Sequence, residues 1–170
     1  DNDEGLAISP VSRRGNIYIT GHIVGKVEFP GRRNKFKSYG APGAFLARFS
    51  TDDGACKWAR GINASGLAVG EGVTIDSRGW VVVTGYFQGE LVLGFNRKRL
   101  LNINPETDAM FVAWFNTNYK CMRLDKVGGH RGNNIRGRAI CADRKKHVYI
   151  TGEFNGSVGF GNGSLQTSHD

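Results

Sequence analysis

An all-β fold made of repeated units is what this sequence predicts, and three observations carry the prediction. A Thr-Gly pair recurs at 20, 84 and 151, so the spacing is 64 and then 67 residues. Apolar residues around each pair alternate with a period of two, which is a strand pattern, and no stretch sustains a 3.6-residue period over a helical length. Gly is plentiful at 25 and Pro scarce at 4, so many short runs are punctuated by turn residues.

The repeat extends well beyond the Thr-Gly pair. Gly15 to Ile23 aligns with Gly79 to Phe87 and with Lys146 to Phe154. Downstream, Gly25 to Phe29 matches Gly89 to Leu93 and Gly156 to Phe160, and Ala44 to Phe49 matches Met110 to Phe115. Cys56 and Cys121 follow at equivalent places. Upstream, Val73 to Asp76 matches Ile140 to Asp143, while the first copy is looser from Ile8 to Ser12.

Each copy reads as four or five short strands joined by tight turns. Val81 and Val83 alternate with Val82 and Thr84, as Val148 and Ile150 do with Tyr149 and Thr151. Asp76-Ser77-Arg78-Gly79 is a turn, because Asp and Ser bond local backbone and Gly tolerates φ > 0. The Gly after Thr ends the strand or marks a bulge. Short antiparallel strands in a fixed repeat suggest a propeller or a solenoid, and this unit is long for a solenoid coil. It also exceeds the ~40–50 residues of common propeller blades, with the surplus around 30–43 and 94–108. The expected organisation is one propeller segment over 1–170, with blades at about 5–63 and 70–128 and a partial blade at about 137–170.

The order from Gly72 to Gly89, Gly-Val-x-Ile-Asp-Ser-x-Gly-x-Val-x-Val-Thr-Gly-Tyr-Phe-x-Gly, resembles the SBBP (seven-bladed β-propeller) repeat of bacterial secreted and surface proteins. Asp108 to Phe115 and Cys56-Lys57-Trp58-Ala59 continue the resemblance over nearly the whole chain. Lys145-Lys146-His147 departs from the family's Ser-Gly-Asn, and Arg123 stands where Trp is usual. The resemblance implies a propeller on an exported protein, at the bacterial cell surface or outside the cell. It implies no defined activity and no catalytic residues.

Closed propellers have ~4–8 blades, whereas this chain holds about two and a half. Repeats bury their apolar faces only against neighbours, so the chain is expected to pair with copies of itself or with the remainder of a larger propeller. No run approaches the ~20 apolar residues of a membrane-spanning helix. The acidic start, Asp1 to Glu4, is unlike a signal peptide.

The net charge is +8, from 23 Lys and Arg against 15 Asp and Glu. A field of that sign favours anionic partners such as acidic glycan or nucleic acid. Arg13, Arg14, Arg78, Arg144, Lys145 and Lys146 fall in the same turn of successive copies. Equivalent turns lie on one face of a propeller, so these residues are candidates for anion or partner binding. A second series, Arg32, Arg33, Arg97, Lys98 and Arg99, sits in the insertions, together with Lys35 and Lys37. The alternative for both series is a solvated surface. His130 to Arg138 resembles an Arg/Gly nucleic-acid tract but reads as an inter-blade loop. An RNA binder would need aromatic platforms beside its charges, and the aromatic residues here sit at strand positions expected to be core.

No catalytic, metal or cofactor signature is present. The four His are isolated, at 22, 130, 147 and 169. Asp76 and Asp143 recur because their turn recurs. Cys56, Cys121 and Cys141 form no disulfide framework, and blade symmetry sets Cys56 and Cys121 too far apart to bridge. The expected function is a non-enzymatic structural or interaction module that mediates assembly or adhesion. Two alternatives stay open: a module binding an anionic polymer through its basic turns, and a hydrolase or lyase on a propeller scaffold.

Overall fold

The computed structural model describes residues 2–29, 35–38, 41–93, 98–128, 132–160 and 163–166. Among these residues there are strands and no helix. The first repeat supplies β1 (Glu4–Ile8), β2 (Asn16–Ile23), β3 (Lys26–Glu28), β4 (Lys35–Lys37), β5 (Gly43–Ser50) and β6 (Cys56–Ala64). The second supplies β7 (Ala68–Ile75), β8 (Val81–Phe87), β9 (Glu90–Leu93), β10 (Lys98–Leu101), β11 (Ala109–Phe115) and β12 (Cys121–Gly128). The third supplies β13 (Ile135–Ala142), β14 (Val148–Phe154), β15 (Ser157–Phe160) and β16 (Gly163–Gln166).

The strands form open antiparallel sheets. β1-β2-β5-β6 is a four-stranded meander, β7-β8-β11-β12 is its copy, and β13-β14 is the first half of another. A hairpin branches off after the second strand each time: β3-β4, β9-β10 and β15-β16. The sequence predicts four or five strands per copy, and the two full copies have six. The additional strand lies in the surplus, at Lys35–Lys37 and Lys98–Leu101. It supplies the hydrogen-bonding partner that β3 and β9 need. The second hairpin also joins the first repeat, since Ile62, Asn63 and Ala64 of β6 pair with Leu93, Val92 and Leu91 of β9.

The Thr-Gly pair lies in mid-strand, so of the two roles expected for its glycine the structure selects the bulge. Gly21, Gly85 and Gly152 face Gly5, Gly70 and Gly137, and the register slips by one residue just after each of those partners. A bulge crowds the strand opposite. A Cβ on Gly21 would stand 1.9 Å from the Glu4 carbonyl oxygen, one on Gly85 1.9 Å from that of Val69, and one on Gly152 2.0 Å from that of Arg136. Only glycine fits. The preceding threonine ties down the third strand: Thr20 Oγ1 donates to the Phe45 carbonyl at 2.7 Å and Thr84 Oγ1 to that of Phe111 at 3.0 Å.

The alternation read in the strands sorts residues between neighbouring repeats. Tyr18, Leu46 and Ile62 of the first repeat share a core with Val73, Val83, Phe87 and Phe111 of the second. Val82, Met110 and Val112 on the other face of the second repeat pack with Ile135 and Val158 of the third. Each fully buried side chain of this size contributes about 1.5–3 kcal/mol of transfer free energy. The repeats therefore stabilise one another across both faces.

Candidate functional site

Local backbone chemistry builds the turn between the first two strands of each meander. Asp76 Oδ1 accepts the N–H of Arg78 at 2.8 Å and of Trp80 at 3.0 Å, and Gly79 closes the turn at φ 78°. Asp143 Oδ1 does the same for Lys145 at 2.7 Å and His147 at 2.9 Å. In the first repeat Ser12 replaces Asp, its Oγ accepting the Asn16 N–H at 3.1 Å. Asp76 and Asp143 are thus turn-formers. Desolvation pushes the Asp143 carboxyl up, but the hydrogen bonds from His147 and from the backbone together outweigh it and hold the group below its usual range.

The three turns bring basic residues to one end of the sheets. Arg13, Arg14 and Arg78 line a cleft of about 380 Å³, floored by Tyr18 and Tyr119. Arg78 and Lys146 line a second cleft of about 370 Å³ with Arg123, Trp80 and Trp114. Arg78 therefore stands between the two clefts. Arg144 and Lys145 are exposed on the third turn but line neither cleft.

These basic groups are not equivalent electrostatically. Arg78 donates to Asp76 Oδ2 from Nε at 2.8 Å and Nη2 at 2.6 Å, and its guanidinium lies 3.9 Å from the centre of the Trp80 ring. Its charge is balanced and its geometry locked. Arg123 bonds Asp125 and lies 4.8 Å from the centre of Trp114. Arg13, Arg14, Arg144, Lys145 and Lys146 have no carboxylate partner among the described residues, so the unbalanced charge at the clefts is that of Arg13, Arg14 and Lys146. Beneath the first cleft, Arg48 Nε donates to Asn16 Oδ1 at 2.8 Å and its Nη1 bonds the Tyr119 hydroxyl. Burial, with help from the Tyr119 hydroxyl, pushes the Tyr18 phenol above its ordinary range.

Of the second basic series, Lys98 and Arg99 line neither cleft. Lys98 Nζ donates to the Met122 carbonyl at 2.6 Å and Arg99 pairs with Glu90 at 2.9 Å, both around the β9-β10 hairpin. Arg32, Arg33 and Arg97 lie outside the described residues.

Two expectations are corrected. The Arg/Gly tract is not a loop throughout, because from Ile135 it is strand β13. Its two described arginines are engaged: Arg136 with Asp108, and Arg138 with Glu71 and Glu153, both over the ring of Tyr86, while Arg131 lies outside the described residues. Trp80, expected in the core, is half-buried beside the basic turns, and Trp114 packs against the core while also walling the second cleft. One signal was legible. Trp80 directly follows the turn glycine, before the alternating run begins. Arg123 stood out only as a departure from the repeat.

Among the described residues no three His, Cys, Asp or Glu side chains cluster as a metal site. Among the same residues no helix is long and apolar enough to cross a membrane. No protein-family model matches the chain, and no curated protein does. Chemically, the two clefts offer fixed N–H donors, flat aromatic walls and uncompensated positive charge, a combination suited to anions on a polymer.

Proposed function

We propose that the chain is a run of β-propeller blades serving as a non-enzymatic binding module, which takes an anionic polymer along its row of basic turns. The single observation that supports this is the sharing of Arg78 between two clefts whose other walls come from neighbouring repeats. A polymer carrying regularly spaced phosphate, sulfate or carboxylate groups could engage successive turns, whereas a small anion would use only one. Arg78, held by Asp76, is the fixed wall between the clefts, and the forks of Arg13 and Arg14 recognise such groups through paired hydrogen bonds, while the Trp80 and Trp114 rings add area for stacking. The propeller reading rests on the repeated meanders and on core packing between neighbours. An exported location at the bacterial surface follows from the repeat resemblance and suits an extracellular polymer.

The test is retention on immobilised heparin and on single-stranded DNA across a salt series. Retention should fall as salt rises and drop sharply in an Arg13→Glu, Arg14→Glu variant. Binding indifferent to both salt and the variant would sink the reading.

A second reading, a structural module that assembles with further repeats, is favoured by the packing of neighbouring repeats against one another.

A further inference from the structure

The first cleft has a floor residue that the repeat pattern does not explain. In the turn between β11 and β12, Tyr119 adopts φ 60°, two residues before Cys121. The first repeat has Gly54 at the same point, two residues before Cys56, with φ 66°. The left-handed conformation costs a tyrosine about 1–2 kcal/mol, which glycine avoids. Such strain gathers at functional sites, where the surrounding structure holds it in place. Here the surroundings belong to the first repeat. The Tyr119 ring centre lies 4.5 Å from that of Trp58 and 6.4 Å from that of Tyr18, and its hydroxyl bonds Arg48. Tyr119 thus reaches across from the second repeat to floor a cleft between the two.

The two repeats are locked together beside this floor. Thr20 Oγ1 fills the space that a Cβ on Gly70 would need, at 2.1 Å, so a hydroxyl of the first repeat enters a glycine hole on the second. The Tyr18 and Tyr119 rings are inclined at 48°, so the floor is not a flat shelf. A planar base can lie flat against one of these rings only, whereas a puckered sugar ring turns C–H groups toward both. The rim suits the remaining groups of a sugar. Ser77 and Thr117 carry hydroxyls, which both donate and accept. Arg13 and Arg14 carry the unbalanced positive charge. A volume of about 380 Å³ is small for a ligand site, so it takes a short stretch of chain rather than a folded partner.

We infer that this cleft is a glycan subsite, which seats one acidic sugar of a polysaccharide with its ring against Tyr119 and Tyr18 and its carboxylate or sulfate at Arg13 and Arg14. The C–H groups of the sugar meet the negative faces of the aromatic rings, and the arginine forks pair with the anionic group. The inference rests on the anionic-polymer reading above and narrows its ligand from any polyanion to an acidic glycan. Arg13 and Arg14 by themselves attract any polyanion; Tyr119 is the residue that selects a sugar.

The test is calorimetric titration with a galacturonate tetrasaccharide, a heparin tetrasaccharide and a short oligothymidylate at low salt. The first two distinguish carboxylate from sulfate, and the third is the nucleic-acid alternative. Tyr119→Asn removes the platform with a residue that tolerates the left-handed conformation. It should raise the dissociation constant of the preferred tetrasaccharide by about tenfold and leave that of oligothymidylate about unchanged. Tyr119→Phe, which keeps the ring, should retain glycan binding. Saturation-transfer NMR on the unsubstituted chain gives a second readout that no variant can confound: irradiating aromatic protons should transfer to the ring C–H protons of the bound sugar. Equal losses for glycan and oligothymidylate in Tyr119→Asn, or no transfer to the sugar ring, would overturn the glycan subsite while leaving the anionic-polymer reading standing. Failure of all three polyanions to bind would overturn that reading itself.

Discussion

Arg138 and Glu71 hold the same position in consecutive repeats, each the extra residue of its bulge, and the guanidinium of one donates to the carboxylate of the other. A bulge aims its additional side chain away from the regular pleat, here toward the neighbouring repeat. Glu71 is mostly buried, and Arg138 also reaches Glu153. Glu71→Gln should therefore lower stability by about 1 kcal/mol, discounted for the exposure of Arg138. Urea denaturation would show it as a lower midpoint with an unchanged slope. No change would mean that the pair contributes nothing to holding the repeats together.

Glycines at two kinds of site should respond differently to the same substitution. Gly85→Ala places a Cβ 1.9 Å from the Val69 carbonyl oxygen. Backbone must shift, at about 3 kcal/mol, the upper end of overpacking costs. Gly25 has φ 84° with open space around it. Gly25→Ala should cost about 1 kcal/mol, from backbone conformation alone. Thermal unfolding of the two variants side by side would check this order, and equal losses would contradict the account of the Thr-Gly pair.

Lys146 adopts φ 74° where the other two copies have Gly15 and Gly79, at 64° and 78°. A lysine in this conformation is strained. Lys146→Gly should stabilise the protein by about 0.5–1 kcal/mol and weaken retention on heparin, since Lys146 lines the second cleft. A rise in melting temperature with undiminished retention would separate the residue from anion binding.

The three cysteines are free thiols in three environments. Cys141 is exposed, Cys56 is half-buried, and burial pushes the Cys121 thiol up to about 11. At pH 8 roughly one Cys121 in a thousand would be thiolate. Iodoacetamide with peptide mapping should label Cys141 first, and Cys121 only on unfolding. The raised value also has a stability consequence. Above about pH 9 the unfolded chain releases a proton that the fold retains. Stability should therefore decline between about pH 9 and 11, and Cys121→Ser should flatten that decline.

The repeat, its strand character and its turns were legible because each rests on local chemistry. Thr-Gly pairs, two-residue alternation and Asp-x-x-Gly turns act over a few residues. Placing Arg13, Arg14, Arg78 and Lys146 together needed only the assumption that equivalent turns share an end. The fate of the aromatic residues was less legible. Alternation tells which face a residue shares but not whether that face is wholly covered, so Trp114 both packs against the core and walls a cleft. The tract from Ile135 to Arg138 looked like a charged loop because its ion-pair partners, Asp108, Glu71 and Glu153, are distant in sequence.

The sequence by itself determined that the chain is all-β, repeats with a fixed period, and carries its positive charge in recurrent turns. Tertiary structure alone decided which of those charges are balanced, and that Arg78 joins two clefts while Arg144 stands apart. It also decided why glycine must follow threonine. A Thr-Gly pair records that only glycine is accepted, but the carbonyl that excludes a Cβ belongs to another strand, and the hole that receives the hydroxyl belongs to the next repeat. Such constraints act through space, so their physical cause appears only once the strands are laid beside one another.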